Sequence, residues 1–91
     1  MKKIEVKSSH VAYDKATDTL FIALGEFDPT LLDHEEDISN NMVIQYAWPK
    51  REPAFIEAYH FISNHGELPM VITTKELEIH VPTLDETQIF A

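Results

Sequence analysis

The sequence contains no cysteine, which removes thiol catalysis, disulfide staples, iron–sulfur ligation and cysteine-ligated zinc together. Glycine occurs only twice, as Gly25 and Gly66, so no glycine-rich loop is available to cradle a phosphate. Cations are scarce too: seven Lys plus Arg stand against sixteen Asp plus Glu, a net charge of −9. A field of that sign repels a phosphate backbone and argues against nucleic-acid binding. Lys50-Arg51 beside Trp48 is the one basic–aromatic pairing, too small to reverse it. Long hydrophobic runs are also missing. The longest, Leu20-Phe21-Ile22-Ala23-Leu24, falls far short of the roughly 20 residues of a membrane helix. Lys2 and Lys3 have no apolar stretch behind them of the kind a secretory signal needs. The expectation is a cytoplasmic chain with no membrane contact.

What is present is a globular composition, 44% hydrophobic over 91 residues, enough for one domain spanning residues 1–91. There is no internal repeat, low-complexity tract or linker. A domain of this length buries only about 60–65% of the surface its unfolded chain exposes, so its stability is thin without staples. Self-association is the simplest supplement, and a homodimer is expected.

The patterning is that of strands. Val11-Ala12-Tyr13 and Thr19 to Leu24 flank a polar stretch, Asp14 to Asp18, which predicts a β-hairpin. Asp14 and Asp18 are turn residues there, with carboxylates suited to bonding their own backbone; a catalytic pair would require one carboxyl in an apolar pocket. Met42 to Ala47 alternates cleanly, as does Glu76 to Val81, and Met70 to Thr73 reads as a short strand. Ala54 to Ile62 lacks a polar face of helical width and reads as a strand entering a turn at Ser63-Asn64-His65-Gly66. Trp48 to Pro53 reads as a turn because its two prolines deny a ladder its donors. Residues 27–37 carry two signals. Asp28-Pro29 suits a helix start, whereas Leu32 to Ile38 alternates like an edge strand, and the strand is favoured because Glu35, Glu36 and Asp37 would crowd a helix's negative end. Thr83 with Glu86 makes a capping box for a closing helical turn. The expected fold is mostly β, α+β at most: a small antiparallel sheet of five to six strands opening with the hairpin, with little helix.

Tyr13-Asp14, Asp18-Thr19-Leu20-Phe21-Ile22, the acids Glu35-Glu36-Asp37, the strand Met42-Val43-Ile44 and the pair Ile56-Glu57 together resemble a small bacterial family of uncharacterised domains, domain-of-unknown-function family twenty-two eighty-three. The resemblance covers residues 11–63 and leaves 64–91 as a C-terminal extension packing on, or extending, the sheet. This chain departs from the family pattern at Phe55, where a glycine is usual, and near Gln45 and Tyr46, where an acid is usual. The resemblance implies a small antiparallel sheet and no catalytic residues. It also implies an antitoxin-like pairing with a toxin-like protein.

Two constellations carry the chemistry of metal ligation. Asp33-His34-Glu35-Glu36-Asp37 supplies hard oxygen ligands and an imidazole; on a strand, Asp33, Glu35 and Asp37 would share a side at about 7 Å spacing. A solvated edge strand is the plainer explanation, because the spacing matches no regular calcium loop. Among the five histidines no two have the spacing of a helical zinc pair; His60 and His65 come nearest, across an expected turn. No metal and no cofactor are expected, and Asp33, Glu35, Asp37, His60 and His65 are the candidates should a metal bind.

Strands Leu20–Leu24 and Ala54–Ile62 are apolar on both sides, and a single sheet in a monomer has only one core face. The second face is therefore expected to be closed by the C-terminal segment and by a homodimer interface anchored on Phe21, Trp48, Phe55 and Tyr59. The functional expectation is an acidic interaction module that acts through homo-oligomerisation or by binding a basic protein partner. The alternative is a small metal-dependent enzyme or hydrolase using the histidines and the acids of residues 33–37.

Overall fold

The structure, a computed structural model, describes every residue except 40, 86, 87 and 91. Its strands are β1 (Lys2–Glu5), β2 (Val11–Asp14), β3 (Thr19–Ala23), β4 (Leu32–Ser39), β5 (Met42–Ala47), β6 (Glu52–Tyr59), β7 (Met70–Thr73), β8 (Leu77–Val81) and β9 (Ile89–Phe90). They form a six-stranded sheet in the order β4-β5-β6-β3-β2-β9 and a three-stranded sheet in the order β1-β8-β7. The first five strands of the larger sheet pair antiparallel, and β9 lies parallel to β2. In the smaller sheet β7 is antiparallel to β8 and β1 is parallel to it. Among the described residues, helix is limited to short 3₁₀ turns, Ser8–His10 and Pro29–Leu31 among them. The protein is thus mostly β and mainly antiparallel.

Register explains the two faces of the larger sheet. Val11, Ile22, Ile56 and Ile44 stand side by side across four strands, and each is at most 2% exposed. The neighbouring row, one residue along, is Ala12, Phe21, Glu57, Val43 and Asp37, and none of these is buried. Strand side chains alternate between faces, so the first row defines the core face and the second the outer face. The smaller sheet covers the core face. Its Ile72, Leu77, Ile79 and Val81 join Val11, Leu20, Ile22, Ile44 and Ile56 in one hydrophobic cluster, with Ile4 packed against it. Two layers around one core are the minimum that a sheet with an apolar face requires.

Segment 64–91 contributes in two ways. Strands β7 and β8 form most of the covering layer, and β9 extends the edge of the larger sheet. The short charged segment Lys2–Glu5 carries no alternation to announce it and is fixed by its pairing with β8, from Lys2 against Leu77 to Glu5 against His80. Both signals in residues 27–37 are real. Asp28 caps the 3₁₀ turn by accepting from the Thr30 amide at 2.9 Å, Pro29 stands at its first position, and the chain then enters β4 at Leu32. Strand β6 begins at Glu52, ahead of the expected Ala54. Pro53 is accommodated because it faces Tyr46 next to a register shift, where the ladder is already interrupted. The strand ends at Tyr59, because His60 adopts a left-handed backbone with φ of 51°. Glu86 of the Thr83–Glu86 capping box lies outside the described residues.

Candidate functional site

The outer face of the six-stranded sheet has no covering layer among the described residues. Its centre is aromatic: the rings of Phe21 and Phe55 stack at 6.0 Å between centroids, and Phe27 meets Phe55 at 5.7 Å. Around them, in the rows containing Val43 and Gln45, stand the carboxylates of Glu35, Asp37 and Glu57, with no Lys or Arg in either row. Tyr59, 37% exposed, follows on the same strand and donates its hydroxyl to Glu57. That bond, with burial and the charges of Glu57 and Glu35 behind it, pushes the phenol up to about 12. Three of the four expected anchors, Phe21, Phe55 and Tyr59, therefore belong to this sheet. The fourth, Trp48, stands in the β5–β6 turn, 58% exposed and followed by a cis proline.

A cleft of about 890 Å³ opens between the two layers at the β4–β5 end of the core. Strand alternation divides the acidic cluster here. His34 and Glu36 stand in register with Tyr46 and Ile44 and line the cleft, whereas Glu35 pairs with Gln45 on the outer row. Asp37 borders the cleft yet shares the row of Val43, and Asp33 falls in a register shift between Leu32 and His34. The imidazole Nε2 of His34 lies 2.9 Å from Glu36 Oε1, and its ring packs 5.6 Å from that of Tyr46. Burial first, then the charges of Glu36 and Glu76, raise the Tyr46 phenol above its ordinary value, so it remains a protonated donor. Lys2, Arg51 and Lys75 arrive from three separate elements.

The proposed metal ligands do not converge. Among the described residues no three His, Asp or Glu side chains group closely enough to hold an ion. The register shift separates Asp33 from the alternation that would have aligned it with Glu35 and Asp37. His60 and His65 are both exposed and both in left-handed backbone; His60 borders a shallow depression of about 420 Å³ that His65 does not reach. The two turn aspartates have different duties. Asp14 accepts from the Ala16 amide two residues on, at 2.9 Å, as an Asx turn does. Asp18, although in the same turn, directs its carboxylate to the β6–β7 connection.

Sequence reasoning gave no site role to Tyr46, Lys2 or Lys75; it weighed Glu36 only within the acidic cluster of residues 33–37 and Arg51 only within the Lys50-Arg51 pair beside Trp48. The parity of β4 against β5 was a usable signal for His34, Glu36 and Tyr46. The cations carried none, because only the layering of β1 and the β7–β8 turn over the larger sheet brings them together. Among the described residues no helix is long and apolar enough to cross a membrane. Comparison with family models, with curated proteins and with solved structures finds no match to this chain.

Proposed function

We propose that the protein is a non-enzymatic, cytoplasmic interaction module that docks a basic protein partner on the outer face of its six-stranded sheet. One observation carries this reading: a three-phenylalanine centre on an uncovered sheet face, bordered by three carboxylates with no cation in their rows. Aromatic side chains in a desolvating centre supply binding energy, and a rim of one charge selects partners of the other and speeds encounter. The chain's net charge of −9 acts in the same direction. A second copy is the less favoured occupant, because it would lay Glu35, Asp37 and Glu57 against the same residues. The antitoxin-like pairing implied by the family resemblance is one form that such a partner could take. The metal-dependent hydrolase reading has no convergent ligand set among the described residues to support it.

A synthetic strand-forming peptide of alternating Leu and Lys is the direct probe. Titration should shift the amides of Phe21, Val43 and Phe55 in heteronuclear NMR, and affinity should fall steeply with salt. Binding that is indifferent to salt would overturn the electrostatic basis. A dimeric mass in light scattering at micromolar concentration that Phe55→Ser reduces to a monomer would assign the face to self-association instead.

A further inference from the structure

We propose that the cleft between the two layers is a binding site for a small organic anion, a carboxylate or phosphate ester with an apolar body. The site is separate from the outer face, since its wall is built from the alternate row of the same sheet: Ile44, Tyr46, His34 and Glu36. Its volume of about 890 Å³ suits a small molecule.

The charge distribution identifies the ligand class. Three of the chain's seven Lys and Arg residues, Lys2, Arg51 and Lys75, line this one cleft of a chain carrying sixteen acids. None of the three is paired with a carboxylate among the described residues, whose Lys–carboxylate pair is Lys3–Glu5 at 3.2 Å. The opposing carboxylates are less available than their number suggests. Glu36 is already bonded to His34. Asp37 stands in the row opposite to Ile44 and Tyr46. The lining thus holds three carboxylates, Glu36, Asp37 and Glu76, against its three cations, a balance of charge in a chain that elsewhere carries thirteen acids against four cations. An anionic group at this rim would gain charge-assisted bonds that nothing in the chain now satisfies, while Tyr46 and Pro53 offer an apolar wall for the remainder of the molecule.

Phenyl phosphate and benzoate are the probes, with benzyl alcohol and benzylamine as matched neutral and cationic controls. Both anions should produce saturable amide shifts at Tyr46, Arg51, Thr74 and Lys75, and the controls should not. The double variant Arg51→Asn with Lys75→Gln should weaken anion binding at least tenfold. Asn tolerates the left-handed backbone that Arg51 adopts, with φ of 52°, and both positions are exposed, so the fold is kept; an unchanged dispersion of the NMR spectrum verifies it. Absence of saturable shifts with either anion overturns the proposal. So does equal binding of benzyl alcohol, or undiminished anion binding by the folded double variant.

Discussion

Asp18 and Ser63, 45 positions apart, are joined twice: the Ser63 amide donates to Asp18 Oδ2 at 3.0 Å and its hydroxyl donates to the same oxygen at 2.6 Å. The other oxygen accepts from the Ile62 amide at 2.8 Å and the Tyr13 hydroxyl at 2.6 Å. The backbone carbonyl of Asp18 accepts from the Phe61 amide as well. One residue of the β2–β3 hairpin thus fixes the chain where it leaves β6 and turns toward the second layer.

Loss of that node should be visible as acid sensitivity. The Ser63 hydroxyl first, then the Tyr13 phenol and the Ile62 amide, hold the Asp18 carboxyl far below the usual carboxylate range. A depressed folded-state pKa contributes stability that is present above the unfolded value, about 3.9, and is lost as pH falls toward the folded value. Glu78, lowered by its bond from His80, and Asp28, lowered by Thr30, act with the same sign. Thermal midpoints should therefore hold steady from neutrality to about pH 5 and fall below it. Asp18→Asn should lower the neutral-pH midpoint more than Tyr13→Phe or Ser63→Ala alone, and should flatten the acid slope. Calorimetry across pH measures both.

The two glycines should respond oppositely to alanine. A Cβ on Gly66 would lie 2.5 Å from the Phe61 ring and 2.6 Å from its carbonyl oxygen, whereas one on Gly25 meets nothing within 4 Å. Gly66→Ala should cost about 1–3 kcal/mol through overpacking. Gly25 has an ordinary negative φ, so Gly25→Ala should be neutral or stabilise by about 0.4–1 kcal/mol through the unfolded chain. Denaturant melts of both variants test the contrast.

How much of this was legible follows from which interactions are local. Strands β5 and β7 match Met42–Ala47, read from its alternation, and Met70–Thr73, read as a short strand, because each signal is written wholly within its segment. Leu77–Val81 was read one residue too long, at its exposed amino end. The outer-face aromatics Phe21 and Phe55 were legible as the surplus of strands apolar on both sides. Strand β1 was not, since its one core-packed residue, Ile4, makes no pattern and its order comes from β8, more than seventy residues on. For the same reason Asp18 read as a turn residue: its local sequence is that of a turn, and three of the four bonds to its carboxylate come from Ile62 and Ser63, 44 and 45 positions away. The cleft depends on three distant cations and on strand parity, and only the parity was within reach.

If the smaller sheet is integral to the core, its inward residues should matter as much as those of the larger one. Ile79 and Ile22 are both 0% exposed and belong to the same cluster. Ile79→Ala and Ile22→Ala should each cost about 2–5 kcal/mol. Val71, on β7 and 54% exposed, should tolerate alanine to within about 0.5 kcal/mol. A small cost at Ile79 beside a large one at Ile22 would mean that the second layer does not share the cooperative core. Urea unfolding of the three variants decides it.

The tyrosines offer a test from the alkaline side. Tyr13 is pushed up to about 12, chiefly by its bond to Asp18, and Tyr59 to about 12 by its bond to Glu57. Burial raises Tyr46 as well, so all three tyrosines of the chain hold their protons more tightly folded than unfolded. A raised folded-state pKa contributes stability that is complete below the unfolded value, about 10, and is lost as pH climbs through the folded value. Ultraviolet titration should therefore show almost no tyrosinate in the native protein until pH is well past 10, followed by a steep, cooperative rise as ionisation and unfolding proceed together. Asp18→Asn removes the charge facing Tyr13 and should let one phenol titrate early in protein that is still folded. Three phenols ionising independently near pH 10 in the folded native chain would contradict the hydrogen bonds drawn for Tyr13 and Tyr59.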